Sequence, residues 1–274
     1  MKILDGKKLS EKILRNLKRE IKKSRLKLKL AVIQIGENPV SQIFVNQKKK
    51  ACQAVDINFR LFKFPAKIKT SKLKKEILRI VKNPTNSGVI IQLPLPKKFL
   101  PEEFLNLIPE EKDIDVLSEK SLGKFYQGTL KILPPTVNGI LRLLNNYKIN
   151  LKGKNVMIVG AGRLVGNPIA VQLLKEKATV SVLNEFTKDA LFFTKKAEIL
   201  ISGVGKPSLI RGKMVKKGVV AIDAGTSLKN GKLKGDINFK SVSKKASFLA
   251  PVPGGVGPLT VACLLENLLK LQKK

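Results

Sequence analysis

Apolar positions recur along the chain with two periods, and these sort it into elements. Between residues 7 and 29, Leu9, Ile13, Leu17 and Ile21 fall on one face of a helix whose outer face is rich in Lys. The run LAVIQIG, 30–36, is continuous and closed by Gly36, the pattern of a buried strand. After the turn Glu37-Asn38-Pro39, Ser41 is placed to cap a second helix reaching about Val55. INFRLFKF, 57–64, alternates as a strand does, 71–82 reads as a helix, and GVIIQLPLP, 88–96, reads as a strand ended by prolines. This alternation predicts a mainly parallel sheet flanked by helices.

The stretch from Pro134 to Gly139 breaks the pattern, and a helix through Leu141–Tyr147 leads into a second unit. There the strands are read at 155–160, 178–183, 197–205, 218–225 and 247–253. GAGRLVG, 160–166, is a glycine-rich turn, and a helix follows over 168–176 with Pro168 near its first turn, where a missing N–H costs nothing. Asn230-Gly231 is a tight-turn signal suited to a hairpin. The last segment, 260–272, is an amphipathic helix. The chain is therefore α/β with two domains, and it shows neither an internal repeat nor a low-complexity segment.

Composition narrows the chemistry. The chain has 274 residues, enough for one large domain or two ordinary ones. Hydrophobic residues make up 43% of it, which excludes a disordered polymer, and aromatics only 5%, so Ile, Leu and Val must build the core. The net charge of +34 favours polyanions. The basic residues are scattered, however, with no run longer than Lys48-Lys49-Lys50 and no nucleic-acid-binding signature. A Lys-rich surface on an ordinary enzyme explains them, with weak, salt-sensitive nucleic-acid binding as a side effect and no specific nucleic-acid partner. Histidine is absent, which removes imidazole triads and the common zinc sites, so no metal is expected. Cys52 and Cys263 lie far apart and suit free thiols in a reducing compartment. The polar N-terminus and the lack of a long apolar run point to a soluble, cytoplasmic protein with no membrane partner.

The strand–glycine–helix unit at 155–176 carries the clearest physical motif. Gly160 and Gly162 would let the backbone turn tightly beside a pyrophosphate, the helix starting near Asn167 would aim its N–H groups at the phosphates, and Gly166 would permit close helix–strand packing. The spacing is GxGxxxG, and a tight turn with no ligand is the competing reading. Glu185 lies just past the next strand, where an acid accepts hydrogen bonds from a ribose 2′-hydroxyl and repels a 2′-phosphate, which favours NAD over NADP. Arg163 can reach a pyrophosphate or a 2′-phosphate and keeps both cofactors open.

Several strings together carry a resemblance: SQIFVNQKKKAC (41–52), GVIIQLPLP (88–96), PEEKDID (109–115), PPTVNG (134–139), GAGRLVGNP (160–168), GKPSLI (205–210), GDINF (235–239) and PVPGGVGPLT (251–260). In order and spacing the chain resembles the bifunctional methylenetetrahydrofolate dehydrogenase/methenyltetrahydrofolate cyclohydrolase family over essentially its whole length. The resemblance implies a folate-binding catalytic domain, 1–138 with 258–274, to which the last helix returns, and a Rossmann-type NAD(P)-binding domain, 139–257, with a cleft between them. It implies oxidation of 5,10-methylenetetrahydrofolate to the methenyl cation, hydrolysis to 10-formyltetrahydrofolate, tetrahydrofolate derivatives as substrates, and a homodimer.

Carried over residue by residue, Lys48 matches the catalytic lysine, Gln92 the glutamine that hydrogen-bonds it, and Asp115 the aspartate that holds the pterin's aminopyrimidine edge. A lysine shielded from water can move protons near neutral pH, and a carboxylate offers two acceptors to a paired N–H and NH2. Phe44, Ile91, Leu93, Pro253, Gly254, Gly255, Val256 and Gly257 match positions around the folate, and Thr136, Gly160, Ala161, Gly162, Arg163, Gly166, Glu185, Gly203 and Thr226 positions around the cofactor. The departures cluster at these sites. Phe44 stands for the usual Tyr, Val116 for Gly, Ala161-Gly162 for Arg-Ser, Glu185 for Ser, Thr226 for Ile and Ala250 for Thr. They favour NAD over NADP, and they admit a family member that keeps only the cyclohydrolase or only binds folate or nucleotide. A different nicotinamide oxidoreductase would explain 155–225 but neither QLPLP nor PVPGG.

Overall fold

The computed structural model describes residues 1–273. In chain order the elements are β1 (Lys2–Ile3), α1 (Gly6–Ser24), β2 (Lys29–Ile35), α2 (Pro39–Ala54), β3 (Asn58–Phe64), α3 (Thr70–Lys82), β4 (Gly88–Ile91), α4 (Glu102–Leu105), α5 (Glu119–Gln127) and α6 (Pro135–Asn146). There follow β5 (Asn155–Val159), α7 (Gly166–Lys175), β6 (Thr179–Leu183), α8 (Ala190–Lys196), β7 (Ile199–Ser202), β8 (Val220–Asp223), the short strands β9 (Ser227–Lys229) and β10 (Lys232–Lys234), α9 (Phe239–Val242), β11 (Phe248–Ala250) and α10 (Val256–Gln272).

The chain divides into two compact units. One holds Glu11–Pro135 and the chain from Val261 onward; the other holds Met1–Ser10 and Thr136–Thr260. The first is built on a parallel sheet of order β3-β2-β4. Its central strand β2 is apolar at nearly every position because both faces are covered. Leu30 and Val32 face Leu17, Ile21, Val45, Leu264 and Leu268 from α1, α2 and α10, while Ala31 and Ile33 face Leu73, Ile77 and Phe104 from α3 and α4. Asn267 of α10, fully buried, donates from Nδ2 to the carbonyls of Ile114 (3.0 Å) and Leu133 (2.8 Å), which ties the returning helix to the segment before Asp115.

The second unit is a parallel sheet of order β1-β11-β8-β7-β5-β6. The chain moves from β5 to β6 on one side, then returns across β5 to β7 on the other. That reversal makes a switch point between the carboxyl ends of β5 and β7, the place where such sheets bind ligands. Asn230-Gly231 makes the expected hairpin between β9 and β10, with positive φ at both residues (52° and 69°).

Met1–Ser10 group by their contacts with the second sheet, where β1 pairs with β11 and Lys7 N donates to Gly254 O at 2.9 Å. Several expectations need correction. Helix α2 is capped by Asn38, whose side chain accepts from Ser41 N at 3.0 Å; Ser41 itself is buried, and its hydroxyl donates to Leu93 O at 3.1 Å. The segment 135–139 does not break the chain but starts α6, since proline is tolerated in a first helical turn. Strand β4 ends at Ile91, before the prolines. The sequence reading missed α5, which opens at Ser118 and stops at Gly128 with φ 81°. It also missed α8, where Asp189 accepts from Phe192 N at 3.3 Å.

Removing the Asn267 amide strands one buried carbonyl, that of Ile114, and one partly buried, that of Leu133. Asn267→Ala is expected to lower unfolding free energy by about 2 kcal/mol in urea denaturation; an unchanged midpoint would contradict the role given to this side chain.

Candidate active site

In the first unit, helix α2 and the end of β4 bring a lysine to a glutamine. Lys48 sits on the face of α2 that carries Val45 and Cys52 into the core, and it is only 8% exposed. Its Nζ donates to Gln92 Oε1 at 2.7 Å. Gln92 continues the line of β4, with its N–H on Ile33 O at 2.8 Å, and its Nε2 donates to Leu93 O at 2.8 Å. That second bond turns the amide so that its oxygen faces the lysine. Ser41 donates to the same Leu93 carbonyl, so one backbone oxygen holds both the start of α2 and the Gln92 amide. The peptide Leu93-Pro94 is cis.

Burial holds the Lys48 pKa below the ordinary lysine value, opposed chiefly by the Asp115 carboxylate. Burial pushes Asp115 up, with Lys48 opposing and Asp113 adding to the shift. The Cys52 thiol is pushed up to about 12 by burial, which leaves it an unreactive neutral thiol. Desolvation therefore makes the neutral amine of Lys48 easier to reach than that of a surface lysine, beside an amide that orients it.

Asp115 is carried on a turn closed by a second carboxylate. Asp113, 1% exposed, accepts from Leu117 N (3.1 Å), Ser118 N (2.9 Å) and the Ser118 hydroxyl (2.6 Å). Val116, fully buried, sits at φ +58°, a conformation that glycine adopts freely and a β-branched residue does not. The network around Asp113 holds it there. Of the other folate-type candidates in this unit, Phe44 is half-buried one helical turn before Lys48. Ile91 must be corrected: it is 1% exposed and packs with Ala31 and Ile33, so its side chain is committed to the core rather than to a ligand.

In the other unit the switch point is built from glycines. Gly160, at φ +102°, ends β5 and bonds Leu183 O through its N–H at 2.8 Å. A Cβ on Gly166 would overlap the Gly160 carbonyl, one on Gly203 would lie 2.6 Å from Val165, and one on Gly160 would lie 3.0 Å from the Gly203 carbonyl. Gly162 faces open space. Helix α7 starts at Gly166 with no side-chain cap. Glycines at 160, 166 and 203 thus let the helix start and the ends of β5 and β7 close to a spacing that side chains forbid, and this cradle fits a pyrophosphate. Ala161 is exposed and Arg163 half-buried in the turn, and Glu185 is exposed just past β6.

Thr226 follows β8, and Thr136, at the start of α6, has its hydroxyl 3.3 Å from that of Thr260. The PVPGG loop connects β11 to α10, with Val252-Pro253 cis, Gly254 at φ +104° and Gly255 N on Pro251 O at 2.8 Å; Val256 is buried and Gly257 open. Pro253–Gly257 thus lie in the same unit as the glycine cradle, and Lys48, Gln92 and Asp115 in the other. Sequence reasoning gave no role to Asp113 or to the aspartates 223 and 236. The strings KDID, AIDAG and GDINF hold these aspartates, and they do not distinguish a ligand from a fastener.

Fold and site define a two-unit α/β enzyme with a buried lysine hydrogen-bonded to a glutamine in one unit and a glycine-lined βα turn in the other. Two family models match: the tetrahydrofolate dehydrogenase/cyclohydrolase catalytic domain over residues 4–115, and its NAD(P)-binding domain over 134–274. The chain belongs to the tetrahydrofolate dehydrogenase/cyclohydrolase family. It is similar to the bifunctional protein FolD of Hydrogenobaculum sp., 44% identical with 100% of this chain and 99% of that one covered. Among solved structures it is similar to the bifunctional enzyme FolD of Campylobacter jejuni, 40% identical, TM-score 0.93, covering 99% of this chain and 98% of that one. It also resembles the Trypanosoma brucei enzyme complexed with NADP cofactor and inhibitor, 31% identical, TM-score 0.92, covering 97% and 95%.

Gly166→Ala forces a methyl against the Gly160 carbonyl. It is expected to destabilise this unit by roughly 1–3 kcal/mol in chemical denaturation; full retention of stability would mean that the helix start is not held this tightly.

Proposed function

We propose that this chain oxidises 5,10-methylenetetrahydrofolate to 5,10-methenyltetrahydrofolate with NAD(P) and hydrolyses the product to 10-formyltetrahydrofolate. The observation that carries the reading is the buried Lys48 Nζ bonded to Gln92 Oε1 at 2.7 Å. In the hydrolytic step, water adds to the carbon of the methenyl cation and the Lys48 amine takes its proton. The bond from that carbon to one ring nitrogen then opens, the nitrogen takes up the hydroxyl's proton, and Lys48 releases the proton it took. One water is consumed and one proton is released. Gln92 keeps the amine aimed, and Asp115 holds the pterin edge by accepting its paired N–H donors. Phe44 offers an aromatic face beside Lys48 but no hydroxyl.

Gly160, Gly162, Gly166 and Gly203 would hold the dinucleotide, with Arg163 by its phosphates and Glu185 by its ribose. A bound nicotinamide supplies the hydride acceptor. The protein's own part in that step is to orient the two reactants and exclude water. Glu185 and Ala161 support NAD over NADP: a carboxylate accepts from a 2′-hydroxyl and repels a 2′-phosphate, and the turn lacks the arginine-serine pair of the family pattern. A homodimer that uses tetrahydrofolate derivatives as substrates completes the reading.

Lys48→Met is expected to lower methenyl hydrolysis by about 100-fold or more, with a Tm no lower than wild type because a buried ammonium opposes folding. Hydrolysis at the wild-type rate would end the lysine assignment. In the wild type the hydrolysis rate rises with pH through a limb below the ordinary lysine range, since the lowered pKa exposes the neutral amine earlier. For the cofactor, kcat/KM measured with NAD and NADP should favour NAD, and Glu185→Ser should move the ratio toward NADP; a wild-type preference for NADP would sink the assignment of Glu185.

A further inference from the structure

A pair of buried carboxylates fastens the turns at the carboxyl ends of β7 and β8. Asp223 ends β8 and is 2% exposed; Asp236 follows the β9–β10 hairpin and is fully buried. Asp236 Oδ2 accepts from the Ser202 hydroxyl at 2.8 Å and from Val204 N at 2.6 Å, so it grips both sides of Gly203. Asp223 accepts from Gly225 N (3.1 Å), Asp236 N (3.0 Å) and Ile237 N (2.8 Å), and so holds its own turn and the segment that carries Asp236.

The two aspartates interlock through glycines. A Cβ on Gly225 would overlap the Asp236 carboxyl, and one on Gly235 would overlap that of Asp223. Asp236 Oδ1 is buried with no hydrogen-bond partner, and burial pushes Asp223 up to about 7, with Asp236's charge adding to the shift. Two desolvated carboxylates cost stability. What they hold is the Gly203 turn, which touches Gly160 and Val165 of the cradle, and the turn leading to Thr226.

We propose that Asp236, braced by Asp223, is a positioning residue for the dinucleotide: it fixes the Ser202–Val204 turn against the glycine cradle so that the cofactor meets a preformed wall. Asp236 does not touch the cofactor; it acts through Val204 and Gly203. This rests on the dinucleotide reading given above. It goes beyond that reading by naming the groups that set the cofactor wall.

The test is direct calorimetric binding of NAD and NADP to the full chain, run beside dehydrogenase kinetics and methenyl hydrolysis. Asp236→Ala is expected to weaken binding of the preferred dinucleotide by roughly tenfold, about one lost charged hydrogen bond, and to raise its KM with kcat at saturating cofactor little changed. Methenyl hydrolysis, which belongs to the Lys48 unit, stays at the wild-type rate and reports that the chain is folded. Asp236→Asn keeps an oxygen for Val204 N and Ser202 and is expected to restore binding to near wild type. Wild-type binding by the alanine variant, or a loss in the asparagine variant as large as in the alanine variant, would overturn the proposal. If the alanine variant does not fold, Ser202→Ala decides: a smaller weakening of the same kind supports the pin, and unchanged affinity overturns it. A wild-type chain that binds neither dinucleotide would instead remove the cofactor reading on which the proposal stands.

Discussion

A lysine at 8% exposure has its ammonium nitrogen 2.7 Å from a glutamine oxygen at the end of the central sheet of its unit. Water solvates such a cation far better than one amide can, so the protein holds Lys48 at a cost. The cost follows from its place on α2: the residues before and after it on the same face, Val45 and Cys52, are core. The neighbouring parts serve this one contact. Strand β4 delivers Gln92, the Leu93 carbonyl turns its amide, and Ser41 ties α2 to the same carbonyl. Asp115 faces Lys48 electrostatically, so the two charges moderate each other's burial. In the unfolded chain Lys48 keeps its proton up to the ordinary lysine range. The folded chain binds that proton less tightly, so this group opposes folding at neutral pH, and the penalty shrinks as pH rises toward that range.

The second unit meets a different constraint, closeness. A parallel sheet whose order reverses at β5 leaves a crevice at the ends of β5 and β7, and the backbone there must approach both a helix start and a ligand. Glycine at 160, 166 and 203 removes the side chains that would block that approach. Glycines supply room but no rigidity. The rigidity comes from Asp223 and Asp236, which bind backbone N–H groups of the surrounding turns. Stability and precision are separate demands here, since an apolar filling would stabilise the unit better than two carboxylates but would leave Val204 N unsatisfied.

Much of the fold was legible in the sequence because both sheets are parallel and buried, so their strands appear as short apolar runs between helical periods. The family strings carried the rest of the architecture and the pairing of Lys48 with Gln92. What failed was local. Ser41 has the chemistry of a cap, and only the chain's path shows that Asn38 takes that role while Ser41 turns inward. Ile91 stands beside Gln92 in sequence, but strand alternation sends its side chain to the opposite, apolar face. Short helices such as α8 bury too little for a periodic signal, and β1 is two residues whose partner lies more than 240 positions away. Asp113, Asp223 and Asp236 were illegible for a related reason: a carboxylate that binds backbone N–H groups leaves no periodic trace. No helix among the described residues is long and apolar enough to cross a membrane.

The most direct test of this account is the titration of Lys48 itself. Lysine labelled with 13C at Cε, followed by NMR against pH and assigned by the resonance missing from Lys48→Arg, reports one ammonium among many. The account predicts that Lys48 loses its proton clearly below the surface lysines, and that it returns toward them in protein unfolded in urea. A Lys48 resonance that titrates together with the surface lysines in the folded chain would contradict it, because the proton-moving role would then have no physical basis.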